Sequence, residues 1–315
     1  MGRIEMKRTT LMALVSVFLF GVTDMASGKQ PSDYFEFRDA PGMMDPLPPM
    51  TLEVTDGEIA CYARGREFGF PPETAYTGIG KYVLSVEKAG AQHQFDSLKA
   101  ALSSRTFTPE SVIGAGAVFD FSFEQDGRHY EGVYGYRQDD GFHDRLLPFY
   151  QIADKVLKDG EPEIKIHPVF TAHSGKDGFV VDLTFRNEGQ KAFSIAGPDT
   201  WTPDLNRPDL RNVEIGAING AGTSFYVRLV SGYLSDASRH YGAAIVVKPG
   251  EAVTLTFQVP YSAVKFSVTS TSHRITSGSY RFTGGMSVDV LEPAELKGQI
   301  RTPMNDVQPV ELQAQ

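Results

Sequence analysis

The stretch at residues 179–195, FVVDLTFRNEGQKAFSI, decides the fold, because its first arm is apolar at every second position without interruption. Phe179, Val181, Leu183 and Phe185 share one face, and Val180, Asp182, Thr184 and Arg186 share the other. That is the two-residue period of a half-buried strand. Asn187, Glu188, Gly189 and Gln190 tolerate positive φ and bond their own backbone, and Phe193 and Ile195 then resume the apolar face. A hairpin or tight β-arch is expected there. A sheet face this apolar has to be covered, and a second sheet is the expected cover.

Working outward toward the C-terminus, the same kind of signal repeats. Strands are expected at 165–172, at 211–217 and 223–230 around Asn219-Gly220, and at 243–247 and 252–259 around Lys248-Pro249-Gly250-Glu251. Two more follow at 265–270 and 279–290, the last with a bulge expected at Gly284-Gly285. Short strands separated by turn residues, with no helical pattern between them, indicate a β-sandwich over 161–299. The strand ending in Asn187-Glu188-Gly189, the Pro249-Gly250-Glu251 turn and the late Ser277-Gly278-Ser279-Tyr280-Arg281-Phe282 resemble bacterial immunoglobulin-like sandwich domains, including those of the BsuPI-type proteinase-inhibitor kind, over residues 165–291. The resemblance implies a fold rather than an activity. The paired cysteines of the antibody-type pattern are missing, and Trp201 sits in a loop context.

Toward the N-terminus the pattern is mixed. Residues 51–55 and 58–63 flank the turn pair Asp56-Gly57, residues 81–88 alternate as a strand, and 118–124 and 128–136 flank Gln125-Asp126-Gly127. Short and long helices are expected at 96–102, capped by Asp96, and at 145–158, capped by Asp144 with Pro148 in the first turn. Strands and helices that do not alternate regularly give an α+β domain over 51–160, ending at Asp159-Gly160-Glu161-Pro162. The expected fold class is therefore mainly β, an N-terminal α+β domain followed by the sandwich. Residues 29–50 carry five prolines and read as an extended arm anchored by Tyr34, Phe35 and Phe37, and residues 300–315 as a mobile polar tail.

Residues 1–28 read as an address. Lys7 and Arg8 precede a 12-residue apolar run at 11–22, and Ala26-Ser27-Gly28 suits a signal peptidase. Met6 directly before the basic pair is an alternative start. Twelve residues fall short of the ~20 needed to span a bilayer as a helix, so export to the periplasm or medium is expected, with no membrane insertion after cleavage. Cys61 is the only cysteine, which excludes an intrachain disulfide, and in Ile59-Ala60-Cys61-Tyr62 it reads as a buried hydrophobe. The 287 residues after the leader suffice for two cores. They hold 27 basic and 37 acidic side chains, a net charge of −10, with Lys and Arg scattered singly, which argues against nucleic acid and against an anionic membrane surface.

Two constellations stand out. Asp139, Asp140, His143 and Asp144 fall within six residues, where carboxylates beside an imidazole can do acid/base work, although the same residues suit a turn and a helix cap. No calcium-loop, zinc-ligand, nucleophile-elbow or phosphate-loop spacing occurs in the chain, so neither metal nor cofactor is expected. The loop at 197–212 combines Trp201 with Asp204, Arg207, Asp209 and Arg211. Trp and Arg favour interfaces, while a tryptophan can equally plug the end of a sandwich. The leading expectation is an exported, non-enzymatic protein that binds another exported or envelope protein through this loop, as an inhibitor or immunity-type protein. Alternatives are a hydrolase or carbohydrate-acting enzyme with its site in 51–160, and a structural or chaperone-like envelope component that offers a strand edge.

Overall fold

The alternation read at 179–185 is realised in Gly178–Asn187, where Phe179, Val181, Leu183 and Phe185 are all buried. The computed structural model describes residues 31–40, 50–65, 79–104, 116–135, 141–203, 211–304 and 309–313. In chain order the first half holds β1 (Asp33–Ala40), β2 (Met50–Thr55), β3 (Glu58–Ala63), β4 (Ile79–Ser85), α1 (Val86–Ala89), α2 (Gln92–Ser103), β5 (Gly116–Gln125), β6 (Arg128–Gly135) and α3 (Phe142–Asp159). The second half is β7 (Glu161–Ser174), β8 (Gly178–Asn187), β9 (Phe193–Ala196), β10 (Asn212–Asn219), β11 (Ser224–Arg228), β12 (Ala244–Val247) and β13 (Ala252–Pro260). It closes with β14 (Lys265–Phe266), β15 (Gly278–Glu292), β16 (Gly298–Met304) and β17 (Val310–Leu312). The chain is mainly β, in two large antiparallel sheets.

One sheet has nine strands in the order β13-β8-β7-β4-β3-β2-β1-β5-β6, and the other has eight, β12-β9-β15-β10-β11-β14 with β16 and β17 paired along β15. The nine-stranded sheet passes without a break across Gly160, where a domain boundary was expected, because β4 pairs with β7 from Ile79↔Ile166 to Val83↔Glu161. Two hydrophobic clusters lie along it. On β1–β5 one face carries Phe35, Phe37, Leu52, Ile59, Cys61, Leu84 and Phe119, covered by Phe95 and Leu98 of α2 and Phe149, Ala153 and Val156 of α3. On β7, β8 and β13 it is the opposite face that is covered, by the second sheet, with Phe179 against Phe225 and Phe282 at ring-centroid distances of 5.8 and 5.3 Å. The row Tyr62↔Lys81↔Ile164 ties the two halves: Ile164 faces the sheet-on-sheet core, and Tyr62 and Lys81 share its face. Beyond Tyr62 that face turns polar.

Several expectations are corrected. Residues 33–40, read as part of an extended arm, form β1 between β2 and β5, with Phe35 and Phe37 in the core. The strand starts two residues after Pro31, which therefore removes no ladder donor. The tail from residue 300 is held by β16 and β17 through buried Ile300, Met304, Val310 and Leu312. Gly284 and Gly285 stay in register with β10 and β16, and the irregularity in β15 falls between Val290 and Glu292 instead. Gly284 is small for packing: a Cβ there would meet Phe170 Cε1 at 2.8 Å. In α3, Gly141 takes the capping position, Asp144 lies in the first turn and Pro148 is inside the helix. In α2 the cap is Ala91 rather than Asp96.

Candidate functional site

Because successive strand side chains alternate in direction, the residues between the apolar positions of β1, β2, β3 and β5 share the face away from α2 and α3. Register aligns them in two cross-strand rows. One runs Asp120↔Glu36↔Thr51↔Tyr62↔Lys81, the other Ser122↔Tyr34↔Glu53↔Ala60↔Val83. A sheet face with this density of carboxylates and hydroxyls is not what strand formation asks for, since each buried polar group must be matched.

The matching is specific. The Tyr62 hydroxyl donates to Glu53 Oε2 at 3.0 Å, and the Tyr34 hydroxyl donates to a Glu36 carboxylate oxygen. Tyr62 is buried, and Glu53, Glu36 and Tyr34 are partly exposed. Burial pushes the Glu53 carboxyl above the ordinary carboxylate range, and the Glu36 charge adds to this against the opposing pull of the Tyr62 hydrogen bond, Lys81 and Arg64. Burial likewise pushes the Tyr62 phenol upward, reinforced by Glu53. Lys81 Nζ and the Arg64 guanidinium lie 5.5 and 5.8 Å from the Tyr62 ring centroid. Both cations also have acidic or carbonyl partners on the next elements: Lys81 reaches Glu163 at 2.8 Å and Glu295 at 3.8 Å, and Arg64 donates to the Glu295 carbonyl oxygen at 3.2 Å. Lys191 joins the same carboxylates at 2.9 and 3.3 Å. Burial opposes ionisation of Glu163, yet Lys81 and Lys191 outweigh it and hold its carboxyl low. A cationic margin with its counter-charges thus borders the acidic, tyrosine-lined face.

The residues singled out in the sequence are distributed differently. Trp201 is 4% exposed, its indole Nε1 donates to the Ala196 carbonyl at 3.0 Å, and its ring stacks on Phe257 at 6.0 Å. The indole plugs the sheet-on-sheet core and presents no anchor to a partner. Arg211 is exposed and ion-paired with Asp289. Asp204, Arg207 and Asp209 lie outside the described residues, as do Asp139 and Asp140, while His143 and Asp144 are exposed at the start of α3. Cys61 is fully buried. Sequence reading missed Glu36, Tyr34, Glu53 and Tyr62. The alternation of Thr51 and Glu53 with Leu52 and Val54 was a visible signal for a polar face; nothing in a proline-rich lead-in announced that β1 would lie beside it. Among the described residues no three His, Cys, Asp or Glu side chains converge as metal ligands, and no helix is long and apolar enough to cross a membrane. No protein-family model matches the chain, and neither a curated protein nor a solved structure is significantly similar to it.

Proposed function

We propose that the protein is exported by a cleaved leader at residues 1–28 and acts in the periplasm or outside the cell by binding another macromolecule, in its most concrete form an exported enzyme that it inhibits or neutralises. On this reading residues 165–291 are an immunoglobulin-like sandwich that serves as a rigid base, and the polar face of β1, β2, β3 and β5 is the recognition surface. The observation supporting it is the pairing of Tyr34 with Glu36 and Tyr62 with Glu53 on that face, opposite the largely apolar face that α2 and α3 cover. Packing alone gives no reason to bury a carboxyl against its ionisation, and such departures from local rules concentrate at functional sites. The net charge of −10 after the leader favours a basic partner and speeds its encounter.

The test uses the chain from Lys29 onward as bait against periplasmic and secreted fractions of its own organism and its competitors. A stoichiometric protein retained through high salt by the wild type and lost by Ser122→Arg, which lays a long side chain across the face beside Tyr34, is the expected result. Retention by a folded Ser122→Arg variant would remove the face from the reading.

A second reading, acid/base hydrolysis of an envelope glycan, is favoured by the burial that holds Glu53 toward its protonated form beside the second carboxylate Glu36. It places the chemistry at Glu53 rather than at Asp139, Asp140 and His143. Cell-wall glycan turnover by the wild type that is lost in Glu53→Gln supports it; absence of turnover by the wild type rejects it.

A further inference from the structure

The nine-stranded sheet ends on β6 at one side and on β13 at the other, and among the described residues only β13 is closed. There Leu234 bridges to Phe257, the Ser235 N–H donates to the Thr256 carbonyl oxygen, and the Thr256 N–H donates to Ser238 Oγ. β6 stays open from residue 128 to 133. Its turn, Asp126-Gly127, takes φ of 51° and 70°, so Gln125↔Arg128 is the hydrogen-bonded pair that closes a two-residue hairpin. Alternation from that pair turns the backbone N–H and C=O of Arg128, Tyr130 and Gly132 toward β5, and those of His129, Glu131 and Val133 outward. No described residue bonds the outward groups. Arg128, His129 and Glu131 are exposed, and Tyr130, Gly132 and Val133 are half-buried. The usual guards of an edge, a proline, a lysine or a bulge, are missing from this strand.

We propose that β6 pairs antiparallel with β6 of a second copy of this chain, about a two-fold axis at Tyr130, and so joins two nine-stranded sheets into one. In that register His129 exchanges backbone bonds with Glu131 of the second copy, and Glu131 with its His129, which satisfies every outward group of both residues. Charge selects the register. Opposite charges set directly across a sheet stabilise it, and like charges destabilise it. One step either way sets Glu131 against Glu131 or His129 against His129, whereas pairing about Tyr130 sets imidazole against carboxylate twice. The imidazole is available for this. Its Nδ1 is held by Glu124 at 2.9 Å, but its Nε2 reaches Glu131 of its own strand only at 3.5 Å. Hydrogen bonds to Glu124 and then Glu131 also raise its titration range, which favours the cation. On the other face Gly132 leaves room for Arg128 of the second copy, and Tyr130, stacked on Phe123 at 5.3 Å, faces its own counterpart. The inference does not rest on the macromolecule-binding reading. An axis normal to the sheet leaves the polar faces of both copies on one side, where a partner with two basic patches would engage them together.

Sedimentation equilibrium of the chain from Lys29 onward, between about 1 and 100 µM, is expected to show a monomer–dimer equilibrium. Glu131→Pro removes an outward N–H and no bond to β5, so it should leave the urea midpoint near that of the wild type and the protein monomeric. His129→Gln removes both charge pairs and weakens the dimer about tenfold. Under mild oxidation Tyr130→Cys, on the axis in a non-hydrogen-bonded pair, gives a disulfide-linked dimer, and Val133→Cys, away from the axis, does not. A wild type that is monomeric throughout that range, or a dimer kept by a folded Glu131→Pro variant, would overturn the proposal. Cross-linking by Val133→Cys and not by Tyr130→Cys, or an unchanged dimer in His129→Gln, would overturn the register. A monomeric wild type whose pull-down partner is lost in Glu131→Pro would give the edge to a strand of that partner instead. A dimer that retains no protein leaves the pairing of β6 standing and rejects the macromolecule-binding reading.

Discussion

At Gly80 a single hydrogen in place of a side chain holds the two halves of the nine-stranded sheet together. Its φ is +156°, and a Cβ there would stand 1.9 Å from the Ile164 carbonyl oxygen, on the facing strand. That is backbone against backbone, which no rotamer relieves. Gly80→Ala is expected to destabilise by about 2–4 kcal/mol in chemical denaturation, whereas Gly57→Ala, with φ +80° and open space around it, should cost about 1 kcal/mol. The carboxylates separate by sign in the same way. The Glu188 carboxyl is held at about 2 by hydrogen bonds from His167 and Lys165. Its folded value lies below the unfolded one, so its contribution is present above the ordinary range near 4.5 and is lost as pH falls through about 2. Glu53 is shifted the other way by burial, so its ionisation opposes folding. Glu53→Gln should therefore raise the urea midpoint at neutral pH, with the gain shrinking as pH falls toward 4.5. A lower midpoint at neutral pH would show that the carboxylate supports the fold and would weaken its assignment to recognition.

Legibility of the elements followed the strength of their local signals. The alternating runs of β8 and β13 and the turn pairs Asp56-Gly57 and Asp126-Gly127, both with positive φ at each residue, stood out in the sequence because period and turn chemistry agree. β1 did not, since prolines on both sides outweighed the alternation of Phe35 and Phe37 with Tyr34 and Glu36. Pairing supplies what that segment lacks by itself, because β2 and β5 bond both its edges. The candidate site was hidden for the same reason: Glu36 and Glu53 are 17 positions apart in sequence and meet only through the register of β1 with β2. Pro148 shows the opposite failure. A start at residue 145 puts it in the first turn, but α3 begins at Phe142, so the proline removes an interior hydrogen bond to Asp144. Pro148→Ala is expected to stabilise by about 1–2 kcal/mol, read as a higher denaturant midpoint with unchanged slope.

The whole molecule has two cores on alternate faces of one sheet, and its two unique side chains report on them separately. Trp201 lies in the sheet-on-sheet core and Cys61 in the helix-covered one. A shared sheet couples cores when the seam is well paired, and here β4 pairs with β7 while Tyr62 and Ile79, from strands of the first half, bury against the second. Breaking one half would strip the edge of the other and leave those side chains uncovered. Loss of Trp201 fluorescence and labelling of the Cys61 thiol should therefore occur over the same range of urea, as one cooperative transition. The buried thiol should resist labelling below it. In Gly80→Ala the seam is the strained place, and the two probes should separate, with the smaller, helix-covered half opening first. Separate transitions in the wild type would mean that the sheet carries two independent domains despite its unbroken ladder. Coincident transitions in both proteins would mean that the coupling lies in Tyr62, Lys81, Glu163 and Glu295 rather than in the backbone pairing at Gly80.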